Sequence, residues 1–227
     1  MLSRSEFQSQ VEAAIENKSL LKHPFYQAWN AGTLPMAALQ QYAAQYYHFE
    51  LAFPTFLSAV HTRTPHLAVR QQILNNIWDE ENGPDNHTEL WLRFCDSLGL
   101  DRAAVESSEQ RPETAQLIGT YRDLCGSGHY SQGLAALLAY EGQVPAVATQ
   151  KIAGLKANYG ISEARDISFF TAHIEADTEH SATERDLVLD GAATADQQAA
   201  ALVAVDQALD GLWNFLSGVY EMEPARA

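Results

Sequence analysis

At 227 residues, with 46% hydrophobic and 10% aromatic residues, the chain carries enough apolar material for a sizeable core, which excludes a disordered protein. It falls below the ~250 to 300 residues at which single cores stop growing, so one domain spanning 1–227 is expected. Fourteen basic against 29 acidic residues give a formal net charge of −15, which repels a phosphate backbone and excludes nucleic acid as a partner.

Apolar positions recur at three- and four-residue spacing almost throughout, and β-branched alternation is nearly absent, so the expected class is all-α. The first helix, over 4–18, is amphipathic and carries Glu and Gln where a secretory peptide needs an apolar run. Helices then follow over 24–31, 35–62, 66–81 and 87–98, separated by Gly32-Thr33-Leu34-Pro35, Thr64-Pro65 and Asn82-Gly83-Pro84. The remaining helices cover 113–125, 130–157, 162–190 and 194–221, with turns at Gly126-Ser127-Gly128, Gly160 and Gly191. Pro54 and Pro145 fall inside helical patterns and predict kinks, because proline removes one backbone hydrogen bond and clashes with the carbonyl four residues back. Helices this long suit a bundle and are compatible with a homodimer. No apolar run approaches the ~18 residues of a membrane span. Two cysteines, Cys95 and Cys125, are too few for a disulfide framework and read as inert core thiols in a cytoplasmic protein.

The segment Phe170-Thr-Ala-His173-Ile-Glu-Ala-Asp177-Thr-Glu-His180 carries the most chemical information. His173, Asp177 and His180 stand at i, i+4 and i+7, so in a helix their side chains share one face within two turns. Two imidazoles and a carboxylate suit a first-row transition metal, whereas calcium or magnesium would want oxygens alone. A second segment, Trp78-Asp-Glu80-Glu-Asn-Gly-Pro-Asp-Asn-His87, sets an acid and an imidazole seven residues apart, with Pro84 breaking the helix between them. Glu141 is followed by Pro145 as Glu80 is by Pro84, and this repeated offset favours Glu80 over its neighbour Glu81, with Glu81 still open. Taken together, Glu80, His87, Glu141, His173, Asp177 and His180 bring a charge of −3 to two divalent ions, leaving +1 for a hydroxide and room for dioxygen.

These six residues, with His23-Pro-Phe-Tyr26-Gln-Ala-Trp-Asn-Ala-Gly near the start, resemble the haem-oxygenase-like diiron oxidases, relatives of the PqqC-like and TenA-like proteins. The resemblance runs from Leu21 to about Leu216 and implies a seven-helix bundle that holds two metal ions, iron with iron or iron with manganese, between its core helices. It is closest to the branch whose members make para-aminobenzoate, a folate precursor, at the expense of their own chain. In that branch a tyrosine supplies the aromatic ring and a lysine is implicated as amino donor; the matching positions are Tyr26 and Lys151. Further family tyrosines near the metals correspond to Tyr42 and Tyr140 as radical relays, while Phe169 stands where the family has another tyrosine. Dioxygen and an external electron donor complete the implied requirements. Spacing alone places Lys151 about 80° from Glu141 around an ideal helix, so it reaches the same face only if Pro145 reorients the chain.

The expected activity is therefore an oxygen-dependent, single-turnover oxidoreductase acting on Tyr26. Three other readings use the same features. One is a multi-turnover oxygenase or oxidase acting on an external amino acid or fatty acid through the same six residues. Another is a TenA-like hydrolase attacking through a cysteine. The third is a binding protein without chemistry.

Overall fold

The structure, a computed structural model, describes residues 1–221, except for the side chains of 175–180. Asp177 and His180 therefore lie outside the described residues. Among the described residues eleven α-helices follow one another: α1 Arg4–Asn17, α2 Pro24–Ala31, α3 Met36–Arg63, α4 Leu67–Glu81, α5 His87–Ser97, α6 Arg102–Glu106, α7 Pro112–Gly126, α8 Tyr130–Glu141, α9 Val144–Gly154, α10 Ser168–Gly191 and α11 Ala195–Tyr220. The described residues contain no strand, and none of their helices is long and apolar enough to cross a membrane.

Local chemistry explains most boundaries. Ser3 with Glu6 and Thr194 with Gln197 form reciprocal capping boxes at the starts of α1 and α11. Pro24 opens α2, the His23 side chain accepts from the Phe25 amide, and Gly32 ends the helix at φ +69°, a left-handed value that costs glycine no Cβ clash. The helix expected over 130–157 is divided. α8 ends at Glu141, and Pro145 lies in the first turn of α9, where a missing N–H is harmless. By contrast α3 runs on through Pro54. The final helix of that stretch closes as one π turn, Leu155–Tyr159, and α10 starts at Ser168 rather than 162. α6 escaped periodicity because it is five residues long, capped by Asp101. These divisions account for a helix count above the seven of the core bundle.

α8 is the axis of the bundle: Leu134, Ala135, Ala136, Leu137 and Ala139 are fully buried, the all-round apolar character of a helix enclosed by others. It packs on α10, α11 and α7, while α3 packs on α7, α4 and α5, and α9 bridges α10 and α2. At the crossing of α3, α4, α5, α8 and α10 this arrangement buries five titratable side chains: Glu50, Glu80, His87, Glu141 and His173.

Candidate metal centre

His173 projects from the second turn of α10 and is 2% exposed. Its Nδ1 lies 2.8 Å from the Phe169 carbonyl, which can only accept, so Nδ1 carries the proton and Nε2 is the basic nitrogen. This is the tautomer that a metal-binding imidazole needs. His87 opens α5, its imidazole 4.2 Å centroid to centroid from that of His173. The Nδ1 of His87 stands 2.9 Å from Glu80 Oε2. Burial pulls the His87 pKa down, but the Glu80 carboxylate overrides it and holds the group up at about 9. Glu80 is 4% exposed whereas Glu81 faces solvent, so of the two neighbours it is Glu80 that the fold brings inward. Glu141, the last residue of α8, is buried and receives Asn76 Nδ2 on both oxygens, at 3.0 and 3.3 Å.

Four of the six residues read from spacing thus converge: Glu80, His87, Glu141 and His173. The fold adds a fifth that was not expected. Glu50, in the middle of α3, is 2% exposed, and one ligand atom each from Glu50, His87 and His173 fall within 4.8 Å of one another. Burial raises the Glu50 carboxyl to about 8, with the neighbouring Glu80 charge adding to the shift. Among the described residues its Oε1 has no hydrogen-bond donor. Three carboxyl groups and two imidazoles, with Oε1 of Glu50 lacking a donor among the described residues, are a donor set suited to divalent cations, so the residues fit a metal centre.

A sequence signal for Glu50 existed. Glu50-Leu-Ala-Phe-Pro54 repeats the offset of Glu80 to Pro84 and Glu141 to Pro145 a third time. In each case the residue four positions on lacks the N–H that would bond the glutamate's carbonyl. Asn76 stands four residues before Glu80, on the same face of α4.

Beside the centre the aromatic residues form a second cluster. Tyr26 from α2 and Tyr42 from α3 are buried with their hydroxyls 3.3 Å apart, and the Lys151 Nζ donates to the Tyr42 hydroxyl at 2.7 Å. Lys151 is 5% exposed; α8 and α9 are separated after Glu141, and the amine lies inside the fold. Its Nζ lies 5.2 Å from the Tyr26 ring centroid and 5.0 Å from that of Tyr42. Burial lowers its pKa from 10.5 to about 7, against a smaller opposing pull from Glu50. The same burial raises the Tyr26 phenol far above its ordinary range, so it stays protonated. Tyr140 hydrogen-bonds Tyr46, which the sequence reading did not single out, although it stands one turn after Tyr42 on the same helix face. Phe169 packs its ring 4.0 Å from that of His173 and 4.7 Å from that of Trp91.

Tyr26, Tyr42, Tyr46, Tyr140, Lys151, Phe169 and His173 share the wall of one internal cavity of about 30 Å³. At ~10 to 15 Å³ per water, that is space for two waters or one diatomic gas molecule. Three further histidines have ordinary partners: His23 caps α2, His48 meets Ser108 at 2.9 Å and His129 meets Ser131 at 2.8 Å. Both cysteines are buried, and each sulfur's hydrogen bond goes to a backbone carbonyl, Ala43 for Cys95 and Gly133 for Cys125. Burial holds the Cys95 thiol up at about 12 and raises that of Cys125 as well, so neither is a nucleophile at neutral pH.

Comparison with known proteins agrees with this geometry. A family model described as iron-containing redox enzyme matches residues 40–213. The 4-aminobenzoate synthase of Nitrosomonas europaea is 42% identical over 229 residues, covering 97% of this chain and 93% of its own length. That of Chlamydia pneumoniae is also 42% identical, covering 91% and 92%. Among solved structures, a domain from Shewanella denitrificans with a heme oxygenase-like fold superimposes with a TM-score of 0.81 at 18% identity, covering 97% of this chain and 93% of its own. That likeness speaks to the fold alone. On the family match and the two synthases together, the chain belongs to the haem-oxygenase-like family of iron-containing redox enzymes.

Proposed function

We propose that this protein makes 4-aminobenzoate once per chain, taking the ring from its own Tyr26 and the amino group from Lys151. The observation that carries this reading is the cavity. Its 30 Å³ beside His173 matches dioxygen, and its wall already includes a tyrosine and an amine. An external amino acid or fatty acid would need far more space; benzene alone occupies an engineered cavity of ~150 Å³. The 4-aminobenzoate synthases that the chain resembles support the product.

Glu80, His87, Glu141 and His173, with Asp177 and His180 from the same helix as His173, would hold two ions, iron or iron with manganese. Bound there, the ions supply the activation of dioxygen. The chain supplies position. Conversion of a tyrosine side chain to 4-aminobenzoate with a lysine nitrogen requires four changes: the ring C–O bond gives way to C–N with the oxygen leaving as water, the Lys151 Cε–Nζ bond breaks oxidatively, the Cα–Cβ bond breaks, and Cβ is oxidised to a carboxyl. Dioxygen is the oxidant, and an external donor provides the reducing equivalents.

Lys151 suits the first change because burial keeps much of it as the free amine near pH 7, about 5 Å from the ring it attacks. The Tyr42 hydroxyl meets both the Lys151 amine and the Tyr26 hydroxyl, which holds donor and acceptor in one hydrogen-bonded line. Tyr42 and Tyr140 act as relays toward Tyr26, and Phe25, Trp29 and Phe170, all buried, exclude water. Each chain has one Tyr26 and one Lys151, so turnover stops at one product.

The test is isotopic and mass-based. Protein made with ring-labelled tyrosine, or separately with side-chain-labelled ¹⁵N lysine, is loaded with Fe(II), reduced and exposed to oxygen. Label should appear in released 4-aminobenzoate, and peptide masses should change at Tyr26 and Lys151. Formation of unlabelled product with both side chains intact would refute self-sacrifice.

A further inference from the structure

Glu50 has no place in the six-residue set read from spacing, yet it is as deeply buried as any of them, at 2% exposure. The groups around it are committed elsewhere. The Asn76 amide bonds Glu141, the Lys151 amine bonds Tyr42, and His87 Nδ1 pairs with Glu80. Among the described residues Glu50 Oε1 is left without a donor, a position that a bound cation would complete. Its oxygen, one nitrogen of His87 and one of His173 form the metal-compatible trio within 4.8 Å.

We infer that Glu50 is a seventh metal-binding side chain, a carboxylate ligand from α3 to one of the two ions. This rests on the two-metal reading given above. Two independent features agree with it. The six residues bring −3 to two divalent ions; Glu50 makes the protein's contribution −4, and the centre becomes neutral without an added hydroxide. Glu50 also shares with Glu80 and Glu141 the proline four residues on, so each of the three buried glutamates has a backbone carbonyl that no N–H at i+4 can bond.

The experiment uses Mn(II) as the probe, titrated anaerobically into metal-free full-length wild type, Glu50→Gln and Glu50→Asp. Bound metal is read by elemental analysis, affinity by the signal of free Mn(II) in electron paramagnetic resonance, and stability by melting with and without metal. The wild type should take up two equivalents. Glu50→Gln should bind one of them about tenfold or more weakly, and its metal-free form should melt higher than metal-free wild type because the unpartnered acid is gone. Glu50→Asp, which keeps the charge on a shorter arm, should recover part of the affinity. Wild-type affinity for both equivalents in Glu50→Gln, with a metal-free melting point equal to or below wild type, overturns the assignment and leaves the six-residue centre standing. A wild type that takes up no Mn(II) overturns the assignment and the two-metal reading together, whereas unlabelled 4-aminobenzoate overturns only the Tyr26 reading.

Discussion

Lys151 offers a measurable test of how the fold handles its buried amine. Its pKa falls from 10.5 to about 7, so between those values the unfolded chain binds a proton that the folded chain refuses. The sign follows: folding is penalised below pH 7, and the penalty is released as pH rises toward 10.5. A displacement of that size corresponds to roughly 5 kcal/mol at pH 6 and to under about 1 kcal/mol at pH 10. Lys151→Met removes the charge at similar length. It also forfeits the hydrogen bond to Tyr42, worth about 1 kcal/mol. The metal-free variant should therefore be more stable than wild type by several kcal/mol at pH 6, with the gap closing by pH 10. Glu50 does not confuse the two ends. Its carboxyl, raised to about 8, is protonated at pH 6 and ionised at pH 10 when the amine is already neutral in the wild type. Urea denaturation at pH 6, 8 and 10 measures the difference. A gap that stays constant across that range would show that the amine titrates normally, and the free-amine role given to Lys151 would fall with it.

Tyr26→Phe should abolish 4-aminobenzoate release while changing stability by no more than about 1 kcal/mol, since the hydroxyl makes one long bond to Tyr42; product by mass spectrometry and melting temperature check the two halves. Asn76→Leu should lower metal affinity by about 10- to 100-fold by releasing both oxygens of Glu141, read as metal retained after dialysis, and full retention would deny Asn76 an orienting role. Gly154→Ala puts a Cβ 2.6 Å from Trp29 Cδ1, behind the Tyr26 and Lys151 cluster, and should cost about 1 to 3 kcal/mol in denaturant melts; an unchanged midpoint would mean that the Trp29 wall is not rigid.

How much of the centre was legible depended on whether its parts lie within one helix. His173 could be read because it stands on a helical stretch, and α10 is regular across it. Glu80 and Glu141 could be ranked by a local irregularity, the proline four residues on. Lys151 could not be reached from spacing: an ideal helix puts it about 80° from Glu141, and only the interruption after Glu141, which separates α8 from α9, brings the amine to Tyr42. The pairing of Tyr26 with Tyr42 was invisible for a similar reason, since it depends on how α2 lies across α3 and α9 rather than on any periodicity.

Glu50 shows the boundary most sharply. Its offset from Pro54 was present in the sequence, but one mid-helix acid with a proline one turn later reads as a solvated side chain until α3 is seen to press that face against α4, α5 and α8. The recurrence has a physical basis. A proline at i+4 deletes the helix bond to the carbonyl of residue i; α4 and α8 end at or beside their glutamates, whereas α3 runs on through Pro54. The three acids are thereby gathered, buried, at one crossing of the bundle in an otherwise apolar core. What that crossing holds is then dictated by its donor set: three carboxyl groups beside two imidazoles are completed by divalent cations, which would also draw the Glu50 proton off.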